Sequence, residues 1–239
     1  MREKPLLFLV NRFNDSTGIH VENLAFFKDS TSAGENLLDF ISQSELSTWE
    51  LFICAEAWLE LFDRKDKAVM MLESAENRMF GVSYALKCAE LWLTLDKNAK
   101  KARHWLKFAE SKADRAWDFS TCAEAWKNLF QADEEAVRLL KIAEAKAKTP
   151  LDYRCCYEAW KNLFDNDSEA ERLLKIATRK ACEFWDLYNC GKAWKKLFNN
   201  DKKAQTLLNA AERSIKNCPD RICKLSTCAS ARKELFDDK

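Results

Sequence analysis

The chain has 239 residues, nearly half of them apolar and about a third charged, with a net charge of +1. That balance fits a folded chain and supplies no excess positive charge for nucleic acid or an anionic membrane surface. Four glycines and three prolines leave little material for β-turns or flexible linkers.

Residues 1–15 repeat nothing downstream. Lys4-Pro5 interrupts the local pattern, and Leu6 to Val10 suits a short element covering the open end of a stack, so 1–15 is expected to be an N-terminal capping segment. Its apolar run is shorter than the ~7–15-residue core of a signal peptide. No stretch approaches the ~18 apolar residues of a membrane span. Of the ten cysteines, six share one repeat position, which speaks for free thiols in a reducing compartment rather than a secreted disulfide framework. The expected location is cytoplasmic, with no membrane.

From about residue 16 the chain repeats with a period of 34. Residues 122–147, CAEAWKNLFQADEEAVRLLKIAEAKA, match residues 156–181 at 19 of 26 positions. The same offset aligns Cys54, Cys88, Cys122, Cys156 and Cys190, and four residues after each stands Trp58, Trp92, Trp126, Trp160 or Trp194. A fixed period of this size means stacked repeats. Repeats are expected at about 16–48, 49–82, 83–116, 117–150, 151–184 and 185–222. The first is degenerate, with Leu24 at the tryptophan position, and the last carries a four-residue insertion near Asn217 to Asp220.

Each repeat reads as two helices. Phe119, Cys122, Ala123 and Trp126 follow the i, i+3, i+4, i+7 spacing of one apolar helical stripe. Ala136, Leu139, Leu140 and Ala143 mark a second. Asp118, Asp152 and Asp186 are expected as N-caps of first helices, and Asp133, Asp167 and Asp201 as caps of second helices. The cysteine and tryptophan rows are assigned to the core, since no single repeat can bury both stripes alone. Residues 223–239 form a first helix with no second, a C-terminal capping helix carrying Arg232 at the tryptophan position.

The pattern Phe119-x-x-Cys122-Ala123-x-x-Trp126, followed by Ala136, Leu140 and Ala143, resembles the tetratricopeptide repeat. Cysteine takes that family's usual leucine position, Ala55, Ala89, Ala123 and Gly191 match its small residue, and Tyr157 departs from it. The resemblance spans roughly residues 16–239. It implies an all-α, right-handed α-solenoid of about six helix-turn-helix repeats whose first helices line a concave groove. It transfers no particular function.

On that mapping the groove would carry Trp49, Trp117 and Trp185, with Ser83 and Leu151 at the alternate repeats. Beside them come Glu56, Glu90, Glu124 and Glu158, then Lys127, Lys161 and Lys195 with Asn128 and Asn162. The expected function is a non-enzymatic scaffold gripping a partner protein or peptide, asparagines bonding its backbone and lysines meeting its acidic side chains. Reversing the lysine row should then abolish binding and leave helicity intact. The bland alternative for Glu124–Lys127 and Glu158–Lys161 is an ordinary surface pair worth a few tenths of a kcal/mol.

Residues 1–60 hold ten acids against four bases, a net of −6, so the remainder is +7. That asymmetry suits a self-associating structural subunit, the alternative function. An RNA-binding repeat protein is a weaker reading on this charge. For catalysis the chain offers two histidines, His20 and His104, and neither a glycine-rich phosphate loop nor an HExxH motif. No cofactor or metal is expected, because no CxxC pair anchors a tetrahedral site. The sequence leaves open whether Cys155, Cys182, Cys218 or Cys223 is redox-active or metal-binding.

Overall fold

A computed structural model describes residues 31–42, 46–78, 81–215 and 220–236. The expected N-terminal capping segment, most of the first repeat with His20 and Leu24, and the insertion with Cys218 lie outside these residues. Every regular element described is an α-helix. There are twelve: α1 (Thr31–Ser42), α2 (Thr48–Phe62), α3 (Lys65–Glu76), α4 (Val82–Asp96), α5 (Ala99–Lys112), α6 (Ala116–Phe130), α7 (Asp133–Lys146), α8 (Pro150–Phe164), α9 (Asp167–Lys180), α10 (Phe184–Phe198), α11 (Asp201–Ser214) and α12 (Arg221–Phe236). Consecutive helices pack in pairs, α2 with α3, α4 with α5, α6 with α7, α8 with α9 and α10 with α11. The first helices start at Thr48, Val82, Ala116, Pro150 and Phe184, each 34 residues after the last. The sequence period is therefore the structural period.

Two compact units divide between Ala113 and Asp114. The first holds α1 to α5. The second holds α6 to α12.

The turn inside every pair is built the same way without glycine. Asp63, Lys97, Gln131, Asp165 and Asn199 each end a first helix in the left-handed conformation, with φ between 47° and 53°. The next residue's N–H reaches back six residues, as in Arg64 to the Trp58 carbonyl at 2.9 Å and Asn200 to the Trp194 carbonyl at 3.0 Å. This is a Schellman-type ending, which satisfies carbonyls the helix leaves orphaned. Only two residues separate the paired helices, so the stripes of each pair are pressed together.

Between those stripes lies the core. Trp58, Trp92, Trp126, Trp160 and Trp194 are all buried, as are Cys54, Cys88, Cys122, Cys156 and Cys190. Three of the buried indoles have further support. The Trp58 indole N–H donates to Ser42 Oγ, that of Trp92 to Glu76 Oε1, and that of Trp194 to Thr178 Oγ1, always sixteen residues back. For Trp160 the corresponding residue is Glu144, which instead pairs with Arg172, and the indole nitrogen is buried without a partner. In the first unit Glu76 accepts a second indole N–H, from Trp105 at 2.7 Å. Lys67, Lys101 and Lys203 place their ammonium groups 4.1, 3.5 and 3.6 Å from the ring centroids of Trp58, Trp92 and Trp194. An ammonium over an indole face is attracted by the ring quadrupole.

Two assignments of capping residues need correction. Asp118 and Asp152 are third residues of their helices, not N-caps. The Asp118 carboxylate accepts the backbone N–H groups of Asp114 and Arg115, and Asp152 those of Lys148 and Thr149. The N-cap residues are Arg115 and Thr149; at Thr149 the box is reciprocal, its Oγ1 accepting the Asp152 N–H at 3.2 Å, while at Arg115 only the Asp118 half is made. Asp186 holds the same third position after the N-cap Glu183. Likewise Asp133, Asp167 and Asp201 open the second helices as their first residues, while Asn166 and Asn200 cap. Carboxylates favour every position of a helix's first turn, so residue type alone does not separate these places.

The last helix spans Arg221–Phe236 and closes the second unit. It packs Cys228 and Ala231 on Phe184, Tyr188, Leu208, Ala211 and Ile215. Arg232, expected to face solvent, is half-buried and donates to Asn209 at 2.6 Å with Glu212 at 3.0 Å. The guanidinium ties the helix to α11.

Candidate functional site

The second unit presents an open cleft of about 590 Å³ between α6 and α8, at the faces that the repeat mapping assigns to binding. Four expected residues meet there: Trp117, Glu124, Glu158 and Asn162. Leu151 lines it as well, at Trp117's repeat position. Trp117 and Leu151 are large apolar side chains about half exposed, at 49% and 55%. The Arg115 guanidinium lies 5.9 Å from the Trp117 ring centroid and is held by Asp118.

The charge of this cleft is uneven. Burial and then the Glu158 charge raise the pKa of the Glu124 carboxyl. Glu124 has no ion-pair partner among the described residues. Burial raises Glu158 too, and Arg154 draws it back down. Arg154 approaches Glu158 only to 3.9 Å, and its Nε is buried without a hydrogen bond. The Ser120 hydroxyl, 1% exposed, lines the cleft and lies against the Cys156 thiol.

The corresponding seam of the first unit, between α2 and α4, is filled from within. Lys87 reaches Glu56 at 2.5 Å and Glu90 at 3.3 Å. Burial pulls the Lys87 pKa down, and the two carboxylates outweigh it to leave the pKa raised. Trp49 is half exposed and packs edge-on against Phe52 and Tyr84. Glu56 and Glu90 thus belong to a closed ion triad there.

The lysine row is engaged inside the repeats. Lys127 Nζ bonds Asp133 at 2.5 Å, Lys161 bonds Asp165 at 2.5 Å and Asp167 at 2.6 Å, and Lys195 bonds Asn199 at 2.9 Å and Asp201 at 2.6 Å. Each lysine clips the end of a first helix to the start of the second. Charge reversal at these positions would set glutamate against aspartate at the turn. The i,i+3 pairs Glu124–Lys127 and Glu158–Lys161 do not form; the lysines point to the turn instead. Asn128 is exposed, and Trp185 is 51% exposed against Phe184 and Tyr188 of its own helix.

Tyr157, at the position of the small residue, is 1% exposed beside Cys190 and fills the space next to α10. A smaller cleft of about 160 Å³ lies there, with Trp185 and Asn189 among its lining. Gly191, by contrast, lets α11 approach: a Cβ would meet the Ala204 carbonyl oxygen and Leu208 Cγ at 3.2 Å.

Burial suppresses the thiolate of every core cysteine that shows a shift; Cys54 and Cys156 are pushed up to about 12 and Cys190 to about 11. Cys155 is half-buried and its thiol donates to the Leu151 carbonyl at 3.4 Å. Cys182 and Cys223 are exposed free thiols. Among the described residues no three His, Cys, Asp or Glu side chains converge on a metal position. No described helix is long and apolar enough to cross a membrane.

Sequence reasoning missed the roles of Cys155 and Lys87. The signal lay in the repeat alignment, where positions 87, 121, 155 and 189 read Lys, Thr, Cys and Asn. Comparison of the chain with protein-family models, curated proteins and solved structures returned no match.

Proposed function

We propose that the chain is a non-enzymatic interaction scaffold, a tetratricopeptide-like helical repeat protein that binds a partner protein through the α6–α8 cleft. The observation that carries this reading is the pairing of exposed Trp117 and Leu151 with the uncompensated Glu124 carboxylate in one open cleft. An exposed aromatic beside desolvated polar groups is the composition of a binding hot spot. Folding alone gains little from leaving two large apolar side chains half in water. The suppressed core thiolates support a structural role for that row over nucleophilic chemistry.

The test is affinity capture with the wild-type chain beside a Trp117→Glu, Leu151→Asp variant whose helicity and melting midpoint are first checked. Proteins retained by the wild type and lost by the variant support the reading. Identical recoveries refute it, and recovery of nothing but copies of the chain supports the self-associating subunit in its place.

A further inference from the structure

The two seams between successive first helices form a natural comparison within one chain. Glu56 and Glu90 of the first seam align by the 34-residue period with Glu124 and Glu158 of the second. In the first, the ammonium of Lys87 sits between the two carboxylates. Its counterpart in the second is Cys155, a neutral side chain whose thiol turns back to the Leu151 carbonyl of its own helix. The carboxylates are kept while the cation between them is gone, and a cleft of about 590 Å³ opens there.

What remains compensates the pair only in part. Arg154 precedes Cys155 on the same helix and reaches Glu158 at 3.9 Å, which leaves Glu124 with no cation. Carboxylates drawn partly out of water in the absence of a counter-charge destabilise a fold, and a partner's cation would remove that cost. The rim fits a protein source of this cation: Trp117 and Leu151 offer apolar surface for the residues flanking it.

We infer that the α6–α8 cleft receives a lysine side chain of the partner protein, its ammonium taking between Glu124 and Glu158 the place that Lys87 takes between Glu56 and Glu90. The inference rests on the scaffold reading and names the chemistry its cleft recognises. Lysine fits better than arginine, because a slender stem ending in three donors is what the first seam accommodates. Arg115 and Arg154 also line the cleft, the first paired with Asp118 and the second with Glu158.

The experiment places the cation in the cleft from within. A Cys155→Lys variant should rebuild the triad of the first seam and raise the melting midpoint. Binding is read by fluorescence anisotropy with two labelled peptide pools. Both have degenerate flanks free of other basic residues; one carries a central lysine and the other Nε-acetyl-lysine there. The wild type is expected to prefer the lysine pool by about tenfold or more. Cys155→Lys should lose that preference, and so should Glu124→Gln, a nearly isosteric change that keeps the scaffold should the lysine variant misfold. Equal binding of both pools by the wild type, or an undiminished preference in a folded variant, overturns the inference. If capture remains sensitive to Trp117→Glu, Leu151→Asp but indifferent to Cys155→Lys and Glu124→Gln, the scaffold reading stands and the lysine reading falls. If capture is indifferent to all of these variants, both fall.

Discussion

Trp194→Ala tests the core assignment most sharply, because Trp185, nine residues earlier on the same helix, provides an internal control. Trp194 is 1% exposed, its indole N–H donates to Thr178 at 2.9 Å, and Lys203 lies 3.6 Å from the ring centroid. An indole burying ~150–250 Å² at about 25 cal/mol/Å² gives an upper bound of ~4–6 kcal/mol. Truncation of a buried tryptophan costs ~3–5 kcal/mol, and the Thr178 hydroxyl loses its donor as well. The expected loss is therefore about 4 kcal/mol. Trp185 is 51% exposed, so half of the same area sets its upper bound near ~2–3 kcal/mol, and about 1 kcal/mol is expected. Urea unfolding followed by far-ultraviolet circular dichroism measures both, with the slope of the transition checked for constancy. A Trp194→Ala loss below about 1.5 kcal/mol, or an equal loss at Trp185, would refute the division into core and surface tryptophans.

Further outcomes follow from other contacts. Glu76→Ala removes the shared acceptor of the Trp92 and Trp105 indole N–H groups, and should cost ~2–4 kcal/mol in the same unfolding assay. Burial and Glu158 raise the Glu124 pKa, so folding favours its protonated form. The contribution is present below the ordinary glutamate value of ~4.3 and is lost as pH rises through the raised value. Glu124→Gln should accordingly match the wild type at low pH and become the more stable protein above that window, as shown by melting midpoints across the range. The Lys127→Glu, Lys161→Glu, Lys195→Glu variant should lower the melting midpoint, since each change replaces a bond to an aspartate by repulsion; an unchanged midpoint would remove the clip role. Native alkylation followed by peptide mapping should label Cys182 and Cys223 first, and Cys54 and Cys156 only on unfolding, because burial holds those two thiols near 12.

How far the sequence revealed this arrangement depended on whether position or geometry carried the information. Period, helix pairs and the cysteine and tryptophan rows are properties of position, and a 34-residue offset reads them directly. The helix Arg221–Phe236 was equally legible, because its stripe falls at the first-helix position of the repeat once the insertion is allowed for. Capping was harder. An aspartate at the N-cap accepts N–H groups inside the first turn and one at the third residue reaches back to those at and before the N-cap, and Asp118 and Asp152 took the third place. For Lys127, Lys161 and Lys195 the mapping gave a face but not a direction. The left-handed turn brings Asp133, Asp167 and Asp201 within reach six residues on, and that local partner engages the lysine. At the cleft the repeat alignment exchanges lysine at 87 for cysteine at 155. In the first seam the half-buried Lys87 ammonium lies between Glu56 and Glu90, a contact that position alone does not reveal.

Crosslinking from the cleft tests the central claim most directly. A photoreactive phenylalanine analogue replaces Asn162, exposed at the cleft, or Lys141, exposed on α7, and the native lysate is irradiated. The account predicts a partner protein joined to the chain from position 162, absent from position 141 and suppressed when Trp117 is changed to Glu. Equal yields from both positions, or a product from 141 alone, would contradict it.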